Sequence, residues 1–387
     1  MEIKVRNLIF SERDIDALRL LLWCQYIQPE SLSNLLTETE CENLLALKLI
    51  RLHEKSGALV LAKEGLSLLA AIYGSGAIPK ISQCYRPPMI QRRLRLARLV
   101  LTAYRGGINP FTLTTKELVK PPALFLSALT RDRGANPWGS TRVAAIARLG
   151  DLLCAMHYVC PGIGKLALAD ELTAFSNQIA FLRDDRRAFL FAGESYADIL
   201  AELDVSEPGA DTKLITYGAA YRCLQLPVHL LSCDDTGAIQ LQIMSVPDYR
   251  RRLTKAALKT QYRPSPSSAW DALFQGMPFI MAADMDLRRL DAAISIARQE
   301  GYPQIAVAAL EGQAETILFP RYRDTGKARV FILAGEAVSE VTGRPPVPYT
   351  PPRTQFLTAE GDVIDAPPFK APGRAERQTG SKMRPLG

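Results

Sequence analysis

The chain has 387 residues, enough for two or three domains at roughly 100 to 200 residues each. Its 48% hydrophobic and 22% charged residues exclude wholesale disorder, a collagen repeat and a coiled coil. The formal charge of +7 accompanies apolar runs, such as Ile305 to Leu310, that are far shorter than the ~20 residues needed to cross a bilayer. No membrane partner is therefore expected. Glu2, Lys4 and Arg6 interrupt the opening segment, so no signal peptide is read and the expected location is the cytoplasm. Seven cysteines without a C-x-x-C pair indicate reduced thiols rather than a disulfide framework or a zinc ribbon.

The charge is unevenly spread. Residues 81–150 hold 12 Lys+Arg against 2 Asp+Glu, whereas residues 1–80 hold 9 against 10 and residues 151–343 hold 19 against 24. Clustered cations between neutral or acidic segments are the footprint of a polyanion contact, because phosphate neutralisation with counterion release needs them close together. The alternative is a solvated Arg-rich face that meets an acidic partner domain.

In chain order, Ser11 with Asp14 three residues later predicts a capped helix start, followed by Ile15, Leu18 and Leu22 at helical spacing up to about Tyr26. Pro29 opens a second short helix to Leu36, and Thr37 caps a third over 38–50. Residues 51–54 and 58–61 read as two strands hinged at Lys55-Ser56-Gly57, and another helix starts at Lys63. Three helices, a hairpin and a helix make the order of a winged helix-turn-helix over residues 1–76. The third helix, which such domains place in the major groove, carries Glu38, Glu40 and Glu42 with Lys48 as its one cation. Either DNA is met by the wing, through Arg51, His53, Lys55 and Lys63, or the module is a protein-docking or dimerisation domain.

Residues 77–110 read as a hinge and a basic connecting helix over 89–104. Ile90, Leu94, Ala97, Leu101 and Tyr104 share one face by helical period, while Arg92, Arg95 and Arg98 fall away from it, with Arg93 and Arg105 at its flanks. Guanidinium groups spaced along a helix can match successive phosphates, which makes this helix the strongest nucleic-acid candidate. Bracing two domains through ion pairs is the alternative.

Residues 111–340 read as a mixed α/β domain. Strands are expected on both sides of Leu149-Gly150-Asp151, then at 188–192, 228–233, 277–283 and 305–310, alternating with helices at 196–203, around 239–244, and at 287–299. Gly162-Ile163-Gly164-Lys165 lacks the glycine spacing of a phosphate loop and reads as a turn. Asp234 and Asp235 follow one strand and Asp284 and Asp286 another. Four carboxylates at strand ends could hold magnesium for phosphodiester chemistry, but capping of the helices that start after them is the favoured reading, because no Glu-x-Lys follows on a neighbouring strand. With His157 and His229 alone in this region, a histidine-centred site is hard to build. Arg250, Arg251 and Arg252, with Lys255, Lys259 and Arg263, mark a surface helix that either joins the basic stripe or is solvated. From 341 to 387 the chain reads as a Pro-rich basic tail, extended or disordered, with nine prolines after Gly343. No internal repeat is evident.

The winged-helix order over 11–72, the phrase RPPMIQRRLRLARLVLTAY, the hairpins around TRVAAIARLGDLLCAMHYV and the stretch FIMAADMDLRRLDAAISIARQEGYPQIAVAALEGQAE together resemble replication-relaxation-type winged-helix proteins of bacterial plasmids and integrative conjugative elements. The resemblance implies a second domain of nuclease-like α/β fold and a role in DNA handling. The sequence departs from an active nuclease pattern, so that domain is expected to be degenerate. The expected function is a DNA-binding accessory or regulatory protein of a mobile element, without a cofactor. The alternatives are a magnesium-dependent nicking enzyme using the four aspartates, or a protein-interaction module, including an inhibitor of a nucleic-acid enzyme. A protein partner would dock on the winged helix or on the Pro-rich tail.

Overall fold

The computed structural model describes residues 9–81, 84–131, 136–161, 165–182, 186–205, 213–349, 355–358 and 363–365. The fold is mixed helix and strand, as the alternating pattern predicts. It divides into two units, residues 1–101 with 349–387, and residues 102–348. Among the described residues no helix is long and apolar enough to cross a membrane.

In the first unit, strand β1 (Ile9–Ser11) leads into helix α1 (Glu12–Cys24). The predicted cap is present: the Ser11 hydroxyl accepts from the Asp14 amide at 3.2 Å, and the Asp14 carboxylate accepts from the Ser11 amide at 2.9 Å. Helix α2 (Pro29–Leu32) is one turn, and α3 (Glu38–Ala46) is closed by the reciprocal Thr37–Glu40 cap. Both are shorter than the sequence suggested, because Ser33 and Leu47 cap them early. Strands β2 (Ile50–Leu52) and β3 (Leu59–Leu61) form the predicted hairpin, and Ile27 bridges to Leu59 on the other side of β3. Helix α4 (Lys63–Tyr73) packs its start onto β2 so closely that a Cβ at Gly65 would collide with the Leu49 carbonyl. Helix α5 runs Pro87–Arg105. Strands Gln355–Thr358 and Val363–Asp365 pair with each other, and the former pairs with β1. Within the stretch expected to be extended or disordered, these two segments are therefore hydrogen-bonded strands. The rest of that tail beyond Tyr349 lies outside the described residues, as does the turn at 162–164.

The second unit holds two five-stranded sheets where the sequence suggested one. The first uses β4 (Ala123–Leu126), β5 (Ala145–Leu149), β6 (Leu152–Tyr158), β8 (Arg186–Gly193) and β10 (Val228–Ser232). A small pair, β7 (Lys165–Leu166) and β9 (Ile215–Thr216), lies outside it. Helices α6 (Ala128–Arg131), α7 (Leu168–Gln178), α8 (Tyr196–Leu203), α9 (Tyr217–Cys223) and α10 (Asp235–Met244) connect and follow these strands. After helix α11 (Tyr249–Leu258), the second sheet uses β11 (Arg263–Pro264), β12 (Ala272–Phe274), β13 (Met277–Met281), β14 (Ile305–Ala309) and β15 (Ala328–Ile332). Its helices are α12 (Leu287–Gln299), α13 (Glu311–Gln313) with the π-helical Ala314–Arg323, and α14 (Gly335–Thr342).

The two sheets have one topology. In each, the strands lie side by side in chain order, the first three antiparallel and the last two parallel to the third. In each, one helix connects the third strand to the fourth, helical turns connect the fourth to the fifth, and a further helix follows the fifth. An Arg-bearing helix precedes each sheet, α5 and α11, and the phrase Arg-Arg-Leu-x-x-Ala-x-Leu occurs in both, at 92–99 and 251–258. The second unit therefore repeats one sheet topology, where no repeat is evident in the sequence. The sequence conceals it because β11 and β12 have two and three residues where β4 and β5 have four and five. Strands β6, β10 and β14 are buried along their whole length, as parallel strands covered by helices must be.

Candidate nucleic-acid interface

The basic surface of the first unit is built on a small apolar cluster. Tyr26, Ala58, Val60, Cys84, Ile90 and Leu94 pack together, joining the hairpin to the first turns of α5. The Tyr26 hydroxyl donates to the Cys84 carbonyl at 2.6 Å, and the His53 ring meets Tyr26 edge-on at 5.2 Å. Ser56 Oγ lies 2.9 Å from His53 Nδ1 and closes the hairpin turn. Burial raises the Tyr26 hydroxyl pKa, Cys84 and Tyr85 add to the rise, and Arg51 and Arg93 oppose it. Arg51 and Tyr85 thus flank one buried tyrosine.

Over this core Arg51, Lys55 and Lys63 are exposed, as are Arg86 and Arg92 on the approach to α5 and in it. Interleaved with them stand Leu52, Met89 and Tyr85, the last 71% exposed. Arg51 lies in β2, Lys55 in the turn between β2 and β3, and Lys63 opens α4. The structure corrects the helix. Arg93 is buried, with its charge near Cys24, rather than at the surface. Burial, partly offset by Arg93, pushes the Cys24 thiol up to about 12, which leaves it unreactive at neutral pH. Arg105 is ion-paired to Asp235 at 2.5 Å with its side chain 13% exposed. Arg95 and Arg98 are half-buried. The physical reason is that Leu96, Leu99, Val100 and Ala103 are buried along with the predicted face, so α5 is enclosed over most of its circumference. A single-face reading of its period misses this.

The acidity of α3 has a local cause in part. Glu40 accepts from the Thr37 amide at 2.7 Å and from its hydroxyl at 2.9 Å, while Glu38 and Glu42 are exposed. Two exposed carboxylates beside a capped N-terminus oppose phosphate on this helix, so the hairpin and the approach to α5 are the cationic side.

The four aspartates at the strand ends are separately committed. Asp234 is the N-cap of α10, accepting from the Ser232 hydroxyl at 2.7 Å and the Gly237 amide at 2.9 Å. Asp235 faces solvent and pairs with Arg105. Asp286 caps α12 through the Arg289 amide at 3.1 Å. Asp284 is buried and accepts from the Tyr249 hydroxyl at 2.6 Å and from Arg250 at 2.5 Å. Burial alone would raise its pKa, but Arg250, His229 and Arg289, with the Tyr249 hydroxyl, outweigh that and hold the carboxyl well below the usual carboxylate range. His229 is held neutral, its pKa lowered mainly by burial, and its Nδ1 donates to the Asp284 carbonyl at 3.0 Å. Among the described residues no three or more His, Cys, Asp or Glu side chains come together as metal ligands. Capping and ion pairing hold the four aspartates that the alternative, magnesium-dependent reading would use.

What the sequence did not reveal is the polar junction around them. Gln240 donates to the Leu230 carbonyl at 2.8 Å and to the Asp284 carbonyl at 3.1 Å, and its amide oxygen accepts from Tyr196 at 2.6 Å and Gln313 at 3.1 Å. This network joins the two halves of the repeat. A second buried pair, His157 Nε2 with Glu171 Oε2 at 3.1 Å, fastens α7 to β6, while Glu171 also accepts from the Arg142 amide. No short-range spacing signals either arrangement, because the partners lie on different elements. Comparison with protein-family models, curated proteins and solved structures gives no match.

Proposed function

We propose that the chain is a DNA-binding accessory or regulatory protein of a bacterial mobile genetic element, of the replication-relaxation type, which grips duplex phosphates through its N-terminal unit. The observation that carries this reading is the group of exposed cations Arg51 and Lys55 on the hairpin, Lys63 at the start of α4, and Arg86 and Arg92 by α5, interleaved with exposed Tyr85 and assembled around Tyr26. Clustered guanidinium and ammonium groups match a polyanion, and the aromatic ring offers a stacking surface beside them. A winged helix is the finer reading of this unit, supported by the order α1–α2–α3–β2–β3–α4 and by the Ile27 bridge to β3. A degenerate nuclease-like scaffold is the finer reading of the second unit, supported by its mixed sheets and by aspartates committed to caps and ion pairs. Because α3 presents Glu38 and Glu42, the mode is phosphate positioning with little reading of bases.

Fluorescence anisotropy of the full chain on a labelled duplex tests the reading. Changing Arg51, Lys55 and Lys63 together to Ala should weaken binding on unrelated sequences alike and lower the slope of log K against log salt by about 3. Wild-type affinity in that variant would remove the hairpin from the interface. Sequence-dependent loss would point to base readout instead.

A further inference from the structure

The internal repeat places an Arg-bearing helix ahead of each sheet, and the two helices have diverged in where their cations go. In α5, Arg93 is buried and Arg105 is paired with Asp235. In α11, Arg250 turns inward to Asp284, while Arg251, Arg252, Lys255 and Lys259 are exposed, with Arg263 exposed just beyond.

Three features of α11 run against stability. Its first turn carries three arginines and no acidic residue, at the end where the helix dipole is positive and cations are disfavoured. Asp248, the residue before it, has a left-handed backbone (φ 53) and makes no side-chain cap bond. Arg250 is accounted for by the buried Asp284. Arg251 and Arg252 are not: Arg251 lies 3.9 Å from Asp248 with both side chains about two-thirds exposed, and Arg252 reaches the Val341 carbonyl at 3.5 Å. Exposed pairs of this kind contribute little. At the other end Lys259 adopts φ 47 and ψ −120, a backbone region that disfavours side chains, and Lys255 lies 5.6 Å from the Tyr262 ring. Glu or Gln in the first turn, and Gly at 259, would suit the fold better.

We propose that the exposed face of α11 is a second phosphate-binding surface, which takes the backbone of a nucleic acid. Residues 251 to 259 span about 12 Å of helix axis, which faces three or four successive phosphates of one strand at about 3.4 Å rise each. The proposal rests on the DNA-binding reading above and gives it a second contact, carried by the other unit.

The test is salt-dependent anisotropy of the full chain on a 20-base-pair duplex and on its single strand, together with thermal unfolding. Changing Arg251 and Arg252 together to Glu should cut duplex affinity about thirtyfold at 0.15 M salt and lower the salt slope by about 2, while the unfolding midpoint holds or rises. A merely structural helix would give the opposite pair of results, unchanged affinity with a lower midpoint. Should the Glu variant fold poorly, Lys255→Gln with Lys259→Gln decides, with a similar loss expected. Affinity within twofold of wild type in that variant, while the hairpin variant is weakened, overturns this inference alone. Failure of the wild type to bind either oligonucleotide at low salt overturns it together with the DNA-binding reading. Displacement of DNA by polyglutamate at equal charge concentration would replace the nucleic-acid backbone with an acidic polypeptide.

Discussion

Asp284 shows how one carboxylate can be mistaken for a metal ligand when it is an anchor. It is buried, yet ionised, because Arg250 and Tyr249 from α11 supply its hydrogen bonds and His229 stands 3.9 Å away. Asp284→Asn should cost about 3 kcal/mol, since a mostly buried Arg250 would keep only Asp286, 3.7 Å away, as its counter-charge, and urea unfolding measures this. The pH dependence has a defined sign. The Asp284 pKa is depressed in the folded state, so its contribution is complete above the unfolded value of about 4 and is lost as pH falls below it. The His229 pKa is also lowered, so its neutral burial begins to cost stability below about 6.5. The difference between wild type and Asp284→Asn should therefore stay level from pH 8 to about 7 and narrow as the carboxyl titrates below about 4. A gap that widened in acid would mean that the carboxyl is protonated in the native state. A nuclease carboxylate would lose cleavage upon this change with little loss of stability; the buried geometry predicts the reverse.

At the scale of elements, α5 turns part of its cations to structure, whereas the β2–β3 hairpin keeps Arg51 and Lys55 at the surface. Both were read from sequence as cationic, and the spacing of Ile90, Leu94, Ala97, Leu101 and Tyr104 did mark buried positions. Period could not show that Leu96, Leu99 and Val100 are buried too, because a second packing face requires knowing what lies across it. The consequence is testable on single residues. Arg93→Ala should destabilise the fold by about 1–3 kcal/mol through its lost packing near Cys24, whereas Arg92→Ala should leave stability within about 0.5 kcal/mol of wild type. Equal effects would place the two arginines in similar environments. The helix caps, by contrast, were legible in advance: Ser11 with Asp14, and Thr37 with Glu40, are local three-residue relationships that need no tertiary partner.

At the scale of the whole chain, the second unit is two copies of one topology bound by a buried polar junction. Gln313 donates to the Ala283 carbonyl at 3.0 Å and to Gln240 at 3.1 Å, and lies 3.2 Å from the Tyr196 hydroxyl, so it ties the second half to the first. A buried network of this kind makes separate opening of either half costly, because each would expose partnerless amides. Gln313→Leu should therefore lower stability by about 1–3 kcal/mol, and hydrogen exchange should show β6, β8, β13 and β14 losing protection together. Loss confined to the second sheet would mean that the halves are energetically independent.

Length, composition and local pattern determined that the chain has more than one compact part, that strands and helices alternate after a helical start, where several helices begin, and that cations concentrate at 81–150. These properties are carried by neighbours in sequence, where periodicity, caps and turns act within a few residues. Only the tertiary structure decided that the strands form two like sheets, that Arg93 and Arg105 are used internally, and that the aspartates serve as caps and an anchor. Burial and ion pairing depend on residues far apart in the chain: Arg105 meets a carboxylate 130 positions away, and Gln240 a carbonyl 44 away, separations that no local pattern encodes.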